Sequence, residues 1–174
     1  MDVRRVLCVA LVSMAGLAGC TGTPDAAAPP APKAAQAAAP GPVLSITDPW
    51  VKTIKGGGGM SAAFGTLVNS GDTAVTVLKA ATPAAPRVEL HETVQEAGKM
   101  VMRPKEDGFT IPAKGTLTLE PGGNHIMLMD VKNPVKPGSE VRFTLTLKDG
   151  SVMEFTAVGK DFAGANEEYQ PGHQ

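Results

Sequence analysis

Cysteine is almost absent from this chain of 174 residues: Cys8 and Cys20 are the only two, and both lie near the N-terminus. Beyond residue 20 there is no thiol, which excludes a disulfide, a Cys-x-x-Cys redox motif and a thiolate-dependent blue-copper centre in that part. An excess of charge of one sign is lacking as well. Without the first 19 residues the chain has 14 basic and 16 acidic residues, a net charge of −2, which argues against nucleic-acid binding.

The N-terminal residues have a pattern typical of export. Residues 1–5 form a short basic start, and residues 6–18 form an apolar run that is shorter than the roughly 20 residues of a transmembrane helix. The run ends in Leu-Ala-Gly-Cys at 17–20, which resembles the lipobox of bacterial lipoproteins. We therefore expect a signal peptide over 1–19 and a lipidated Cys20 as membrane anchor. An ordinary secretory signal is the alternative, and Thr21 in place of aspartate favours the outer membrane where a cell has one.

The composition divides the rest of the chain into three parts. Residues 20–42 are dominated by alanine and proline, which predicts a semi-extended linker. Residues 43–160 are long enough to form one domain with its own core. Residues 161–174 are polar and predict a flexible tail. The sequence thus indicates one extracytoplasmic domain on a tether.

Short runs rich in valine, leucine and threonine, separated by closely spaced turn signals, predict strands. These runs are 74–78, 87–94, 116–119, 126–131 and 141–147. Alternation in the last run places Val141, Phe143, Leu145 and Leu147 on one face, which we expect to be core, and Lys-Asp-Gly at 148–150 predicts a hairpin into 151–156. No stretch keeps a helical period over two turns. The expected fold is all-β, an antiparallel sandwich or Greek-key barrel.

The chemistry-bearing side chains of the domain form two groups, His91 with Met100 and Met102, and His125 with Met127 and Met129. Residues i, i+2 and i+4 of a strand share a face. Pairing between the two methionine-bearing strands is therefore expected to collect imidazole and thioether groups in one place. Thioether is a soft ligand that favours copper(I) over zinc, magnesium or calcium.

Packing is the competing interpretation for the methionines, because methionine fills gaps in cores. Met60 and Met153 are expected to be core packing alone. Met100 and Met129 are expected either to pack beside the ligands or to shield them. For the two histidines, each followed by a methionine at strand or hairpin spacing, the residues leave a metal site and packing both open.

Several segments resemble the periplasmic copper chaperones of the PCuAC family. The resemblance runs from about residue 50 to 158 and rests on VELHE at 88–92, MRP at 102–104, IPA at 111–113 and LEPGGNHIMLM at 119–129. The family's copper signature is a histidine, ten residues, a methionine, about twenty-one residues, then His-x-Met. His91 and Met102 fit the first spacing, but 22 residues separate Met102 from His125. We assign the extra residue to the turn at 105–108.

The resemblance implies a cupredoxin-like Greek-key β-barrel with a partly exposed copper(I) site, whose ligands are His91, Met102, His125 and Met127. Some members have a further methionine where this chain has Thr93, so a fifth donor is missing. The resemblance also implies a monomeric carrier without catalytic turnover that delivers copper to the CuA centre of cytochrome c oxidase, alongside a Sco-type thioredoxin-like protein. Some members bind a second ion, copper(II), in the C-terminal tail, where this chain offers His173.

Other functions are also compatible with the four candidate ligands. A periplasmic copper-sequestering or resistance protein would use the same ligands, and only copper transfer separates the two. A structural adhesion or envelope-binding lipoprotein would leave the four residues incidental. An enzyme is disfavoured, since three histidines, one of them in the tail, provide neither a histidine triplet nor a Ser-His-Asp arrangement.

Overall fold

The computed structural model describes residues 43–164 and 168–169. The predictions for the signal peptide, Cys20, the linker and His173 lie outside these residues. Within them all regular secondary structure is β, and no helix is long and apolar enough to cross a membrane. The strands are β1 Leu44–Lys52, β2 Gly59–Asn69, β3 Val75–Ala81, β4 Arg87–Glu96, β5 Lys99–Pro104, β6 Phe109–Ile111, β7 Thr116–Leu119, β8 His125–Val131, β9 Glu140–Leu147, β10 Val152–Lys160 and β11 Glu168–Tyr169.

The strands form one curled, hydrogen-bonded sheet in the order β11-β5-β4-β8-β2-β1-β10-β9-β3-β6, with β7 beside β2. The neighbours are antiparallel except for two parallel pairs, β1 with β10 and β5 with β11. β3 also packs against β4, and β6 against β7, so distant parts of the sheet close over a common interior. The prediction of an all-β, cupredoxin-like fold is confirmed.

The main core is built on alternation, which β9 shows most simply. Val141, Phe143, Leu145 and Leu147 are all buried in it, as the sequence pattern predicts. Phe143 stacks on Phe155 of β10, with ring centroids 5.0 Å apart. Burying one such ring stabilises the fold by about 2 kcal/mol. The hairpin through 148–150 is also confirmed, since β9 and β10 pair in antiparallel register.

A two-residue turn sets the register of β4 against β5. Ala97 and Gly98 both have positive φ angles, 47° and 82°, which a type I′ hairpin turn requires. The turn leaves Glu96 opposite Lys99, and the same register places Thr93 opposite Met102. The position of Met102 next to β4 therefore follows from local turn chemistry.

The two faces of β8 serve different purposes. Ile126, Leu128 and Val131 pack into the main core. Met127 and Met129 lie on the other face in a second group of buried side chains, which we call the methionine cluster: Ala62, Phe64, Met102, Met127 and Met129. This second face carries the candidate site.

Gly108→Ala is expected to lower the free energy of unfolding by about 3 kcal/mol. Gly108 has a φ of +72°, and a Cβ there would overlap the Val77 carbonyl. Gly150→Ala is the matched control, because its φ is +84° with no atom near the added Cβ, and it should cost only about 1 kcal/mol. Urea denaturation of both variants checks the difference; equal losses would contradict it.

Candidate metal site

His91 and His125 face each other across neighbouring strands. β4 and β8 run antiparallel with the two residues directly opposite. The ring centroids are 5.5 Å apart and the ring planes are inclined at 62°, and the residues are only 0% and 4% exposed. Two imidazoles that share one ion at about 2 Å through ring nitrogens place their centroids about 5 Å apart. The pair is therefore close to the spacing that one shared ion requires.

Hydrogen bonds show which ring nitrogen of His91 and of His125 carries the proton and which has the lone pair. Glu89 Oε2 lies 2.9 Å from His91 Nε2, and because a carboxylate oxygen accepts, Nε2 carries the proton. His91 Nδ1, which then has the lone pair, is buried and has no hydrogen-bond partner among the described residues. His125 Nδ1 donates to the Gly123 carbonyl at 3.1 Å, so Nε2 of that ring has the lone pair. An oriented tautomer of this kind is usual for metal-binding histidine.

Burial decides the charge of His91. It lowers the pKa of the imidazole from its ordinary value by more than the hydrogen bond and charge of Glu89 raise it. Desolvation disfavours the charged imidazolium, so the ring is neutral near pH 7. Metals bind the neutral ring, and His91 is therefore in the form that a ligand needs.

Met127 lies on the same strand as His125, and Met102 lies on the strand next to that of His91. Met127 follows His125 by two residues on β8, and Met102 lies on β5. Both are buried, with 4% and 6% exposure respectively. The expectation that the two methionine-bearing strands pair directly is wrong, because β4 lies between β5 and β8. The intervening strand itself carries His91, so the four residues still share one face of three adjacent strands.

A cavity of about 260 Å³ lies beside these side chains. It is lined by Lys52, Met60, Ser61, Ala62, Phe64, Met102, Pro121, Gly122, His125 and Met127. Met60 and Gly122 are exposed and form its rim. The expectation of a partly exposed site differs from the structure, because the four side chains are at most 6% exposed; the cavity reaches three of them, Met102, His125 and Met127.

The donor set available here depends on sulfur. In the part of the chain that the structure describes, no three His, Cys, Asp or Glu side chains are grouped closely enough to hold a metal ion. Two imidazoles alone leave a four-coordinate ion incomplete. The thioethers of Met102 and Met127, which lie on the same face of the sheet as the histidines, are candidate donors to complete it.

Aromatic rings wall the site on two sides. Tyr169 of β11 stacks on His91, with centroids 5.6 Å apart and planes within 5° of parallel. Phe64 lies 6.3 Å from the ring of His125 and 4.4 Å from that of Trp50, measured between centroids. Tyr169 falls in the stretch 161–174 for which a flexible tail is predicted; it pairs with Met102 in a short parallel strand and packs against the methionine cluster.

The other methionines take different positions. Met153 is buried in the main core as predicted, and Met129, 1% exposed, packs in the methionine cluster. Met100 is 45% exposed and does not line the cavity, so it does not shield the site. Met60 was predicted to be core packing, which is wrong: it is 50% exposed and lines the cavity.

Sequence reasoning also missed two contacts of His91. Glu89 lies two residues before His91, so strand periodicity could have placed both on one face. Tyr169 had no such signal, because its contact with His91 is made by a short strand far along the chain. Both contacts hold the ring of His91 in place.

Comparison with solved structures identifies the class of fold. The chain is similar to the copper-bound PCuAC domain from PmoF2, with 21% identity and a TM-score of 0.57, covering 70% of this chain and 95% of that domain. It is also similar to apo-DR1885 from Deinococcus radiodurans, with 34% identity and a TM-score of 0.55, covering 85% of this chain and 97% of that one. The domain is of the PCuAC type, as its sequence segments predict.

Sequence relatives identify the family. The profile of the LpqE-like lipoproteins matches residues 44–158. Lipoprotein Lxx21020 of Leifsonia xyli subsp. xyli (strain CTCB07) is 43% identical over 127 residues, which cover 73% of this chain and 75% of that protein. The chain belongs to the LpqE-like lipoprotein family.

Thr93→Val is expected to raise the free energy of unfolding by about 1 kcal/mol, because it removes a hydroxyl at constant shape. Thr93 Oγ1 is buried without a hydrogen-bond partner in residues 43–164 and 168–169. Thr82→Val is the control with the opposite sign, since Thr82 Oγ1 donates to the Arg142 carbonyl at 2.7 Å and accepts from Ala84 N–H at 3.3 Å. Chemical denaturation of both variants tests the pair, and a destabilised Thr93→Val protein would contradict the prediction.

Proposed function

We propose that the domain is an extracytoplasmic metallochaperone that binds one copper(I) ion and delivers it to another protein; the ligands are His91, Met102, His125 and Met127. The observation that carries the proposal is the buried His91–His125 pair: Nδ1 of His91 has no hydrogen-bond partner among the described residues, and the buried Met102 and Met127 lie on the same face of the sheet. Leaving a buried polar atom without a partner costs about 1–3 kcal/mol. A bound ion would supply the missing interaction.

The donor set favours copper(I) over other ions. Thioether sulfur is soft and selects copper(I), and imidazole is compatible with it, whereas magnesium and calcium require oxygen ligands. Zinc sites draw on thiolate, imidazole and carboxylate. All four proposed donors are neutral, so the bound ion would keep its single positive charge. The carboxylate of Glu89, hydrogen-bonded to His91, offers one negative charge close by.

Similar proteins support copper as the cargo. The PmoF2 domain is copper-bound, and the DR1885 protein has a solution structure in its CuI form, with 33% identity to this chain, a TM-score of 0.51, and coverage of 70% of this chain and 82% of that one. The CuA centre of cytochrome c oxidase is the destination we propose, reached directly or through a Sco-type protein. This destination rests on the PCuAC resemblance.

Membership of a lipoprotein family supports a membrane-anchored protein outside the cytoplasm. We propose Cys20 as the lipidated residue and the alanine- and proline-rich stretch up to residue 42 as the tether. At about 3.1 Å per residue an extended tether of this length would span tens of ångströms. A domain held at that range can meet a membrane-bound acceptor without being fixed to it.

A carrier and a store differ in how readily the ion leaves. The cavity beside Met102, His125 and Met127 favours a carrier, because an acceptor ligand can approach through it. Copper sequestration without delivery is the second candidate.

A transfer experiment distinguishes delivery from sequestration: the copper(I)-loaded protein is mixed with an apo CuA domain, and the mixture is then mildly oxidised. The purple mixed-valence centre forms if copper is delivered and does not form if it is only stored.

Replacing Met102 and Met127 together with leucine is expected to lower copper(I) affinity by more than about a hundredfold, because two of four donors are lost. Leucine nearly conserves volume, so stability should change by less than about 1.5 kcal/mol. Anaerobic competition with bicinchoninate measures the affinity. Met153→Leu, a substitution in the main core, is the control with unchanged affinity. Unchanged affinity in the double variant would show that the ligands are wrongly assigned.

Glu89→Gln is expected to lower copper(I) affinity about tenfold, because an amide keeps the shape but loses the charge that orients His91 and offsets that of the ion. Glu92→Gln is the matched control on the same strand. Glu92 binds Arg103 and Lys105 instead, and these neighbours lower the pKa of its carboxyl. The same competition assay applies, and an equal loss in both variants would mean that Glu89 has no specific role.

A further inference from the structure

Met60 brings to the cavity lining a soft thioether donor that the four-ligand site does not use. It is half exposed, yet it lines the same cavity as Met102, His125 and Met127. Exposing a methionine side chain forgoes about 2 kcal/mol of hydrophobic stabilisation, so packing does not account for its position. The four proposed ligands, in contrast, are at most 6% exposed.

The backbone explains why Met60 lies at the rim. Pairing of β2 with β8 is irregular between Gly59 and Ser61, where Met60 lies, and Asp130 opposite has a φ of 58°. Such bulges redirect side chains at the edges of sites. Met60 also shares a face with Ala62 and Phe64 by strand periodicity, and both of those residues belong to the methionine cluster. The face of β2 that walls the site thus ends in an exposed thioether.

The position of Met60 at the rim suits a donor that binds copper only while the ion enters or leaves the site. An ion held by four buried ligands must exchange them one at a time, and each step is slow if nothing replaces the ligand that leaves. Methionine has three rotatable bonds beyond its Cα and a soft sulfur, so a rim methionine can reach inward or outward. We propose that Met60 is an auxiliary thioether donor that binds copper(I) transiently as the ion enters or leaves the site.

This inference rests on the proposed function and is tested by kinetics. The full chain is used with Cys8→Ser and Cys20→Ser, so that no thiol competes for copper. Release of copper(I) to bathocuproine disulfonate is followed by stopped-flow absorbance, and affinity is measured by competition at equilibrium. Met60→Leu is expected to slow both release and loading about tenfold while affinity stays within about threefold, because a transient donor lowers the barrier equally in both directions.

Met100→Leu is the matched control, since Met100 is 45% exposed but does not line the cavity; its rates and affinity should equal those of the parent. Equal rates in the Met60→Leu and Met100→Leu proteins would overturn the inference. A loss of affinity of more than about tenfold in Met60→Leu would also overturn it, since Met60 would then be a permanent ligand. Retention of tight copper binding by the Met102→Leu, Met127→Leu protein would instead refute the proposed site itself.

A second measurement tests whether Met60 contacts the bound ion without following copper release to a chelator. In the parent chain labelled with methyl-¹³C methionine, titration with silver(I), a redox-inert soft ion, is followed by NMR. The Met60 methyl resonance is expected to shift or broaden together with those of Met102 and Met127, whereas Met100 and Met153 stay unchanged. A Met60 resonance that behaves like that of Met100 throughout the titration would overturn the inference.

Discussion

The antiparallel register of β4 against β8 is the constraint on which the site depends. It places His91 opposite His125 and Glu89 opposite Met127. A slip of one residue would turn the face that carries His91 or His125 towards the main core. The register is held from the other side, where Leu90, Ile126 and Leu128 are buried. Hydrophobic packing on one face therefore positions polar and sulfur-bearing groups on the other.

The fold was largely predictable because its signals are local. Alternation along 141–147 and the turn at 148–150 identify a hairpin without tertiary knowledge, and β9 and β10 follow it closely. The shared face of His125, Met127 and Met129 follows from the same two-residue period. Their distance from Met102 does not, because strand order is set by packing across the whole sheet. This is why β4 was not expected between the two methionine-bearing strands.

The surroundings of the candidate site were harder to predict than the shared face of its side chains. Tyr169 reaches His91 through a short parallel strand far along the chain, and short sequence patterns do not encode such distant pairings. Met60 was misjudged because the glycines before it and the bulge at its position expose a side chain that composition assigns to the core. The spacing of His and Met residues thus indicates candidate ligands, whereas access to them depends on irregular backbone.

The division of β8 between two clusters has a consequence for how such domains diversify. Its side chains Ile126 and Leu128 pack in the main core, whereas Met127 and Met129 pack in the methionine cluster on the other face. Volume-conserving substitutions at positions 127 and 129 are therefore expected to leave the main core intact. A lineage that inherits this architecture can thus exchange side chains on the second face while the main core persists.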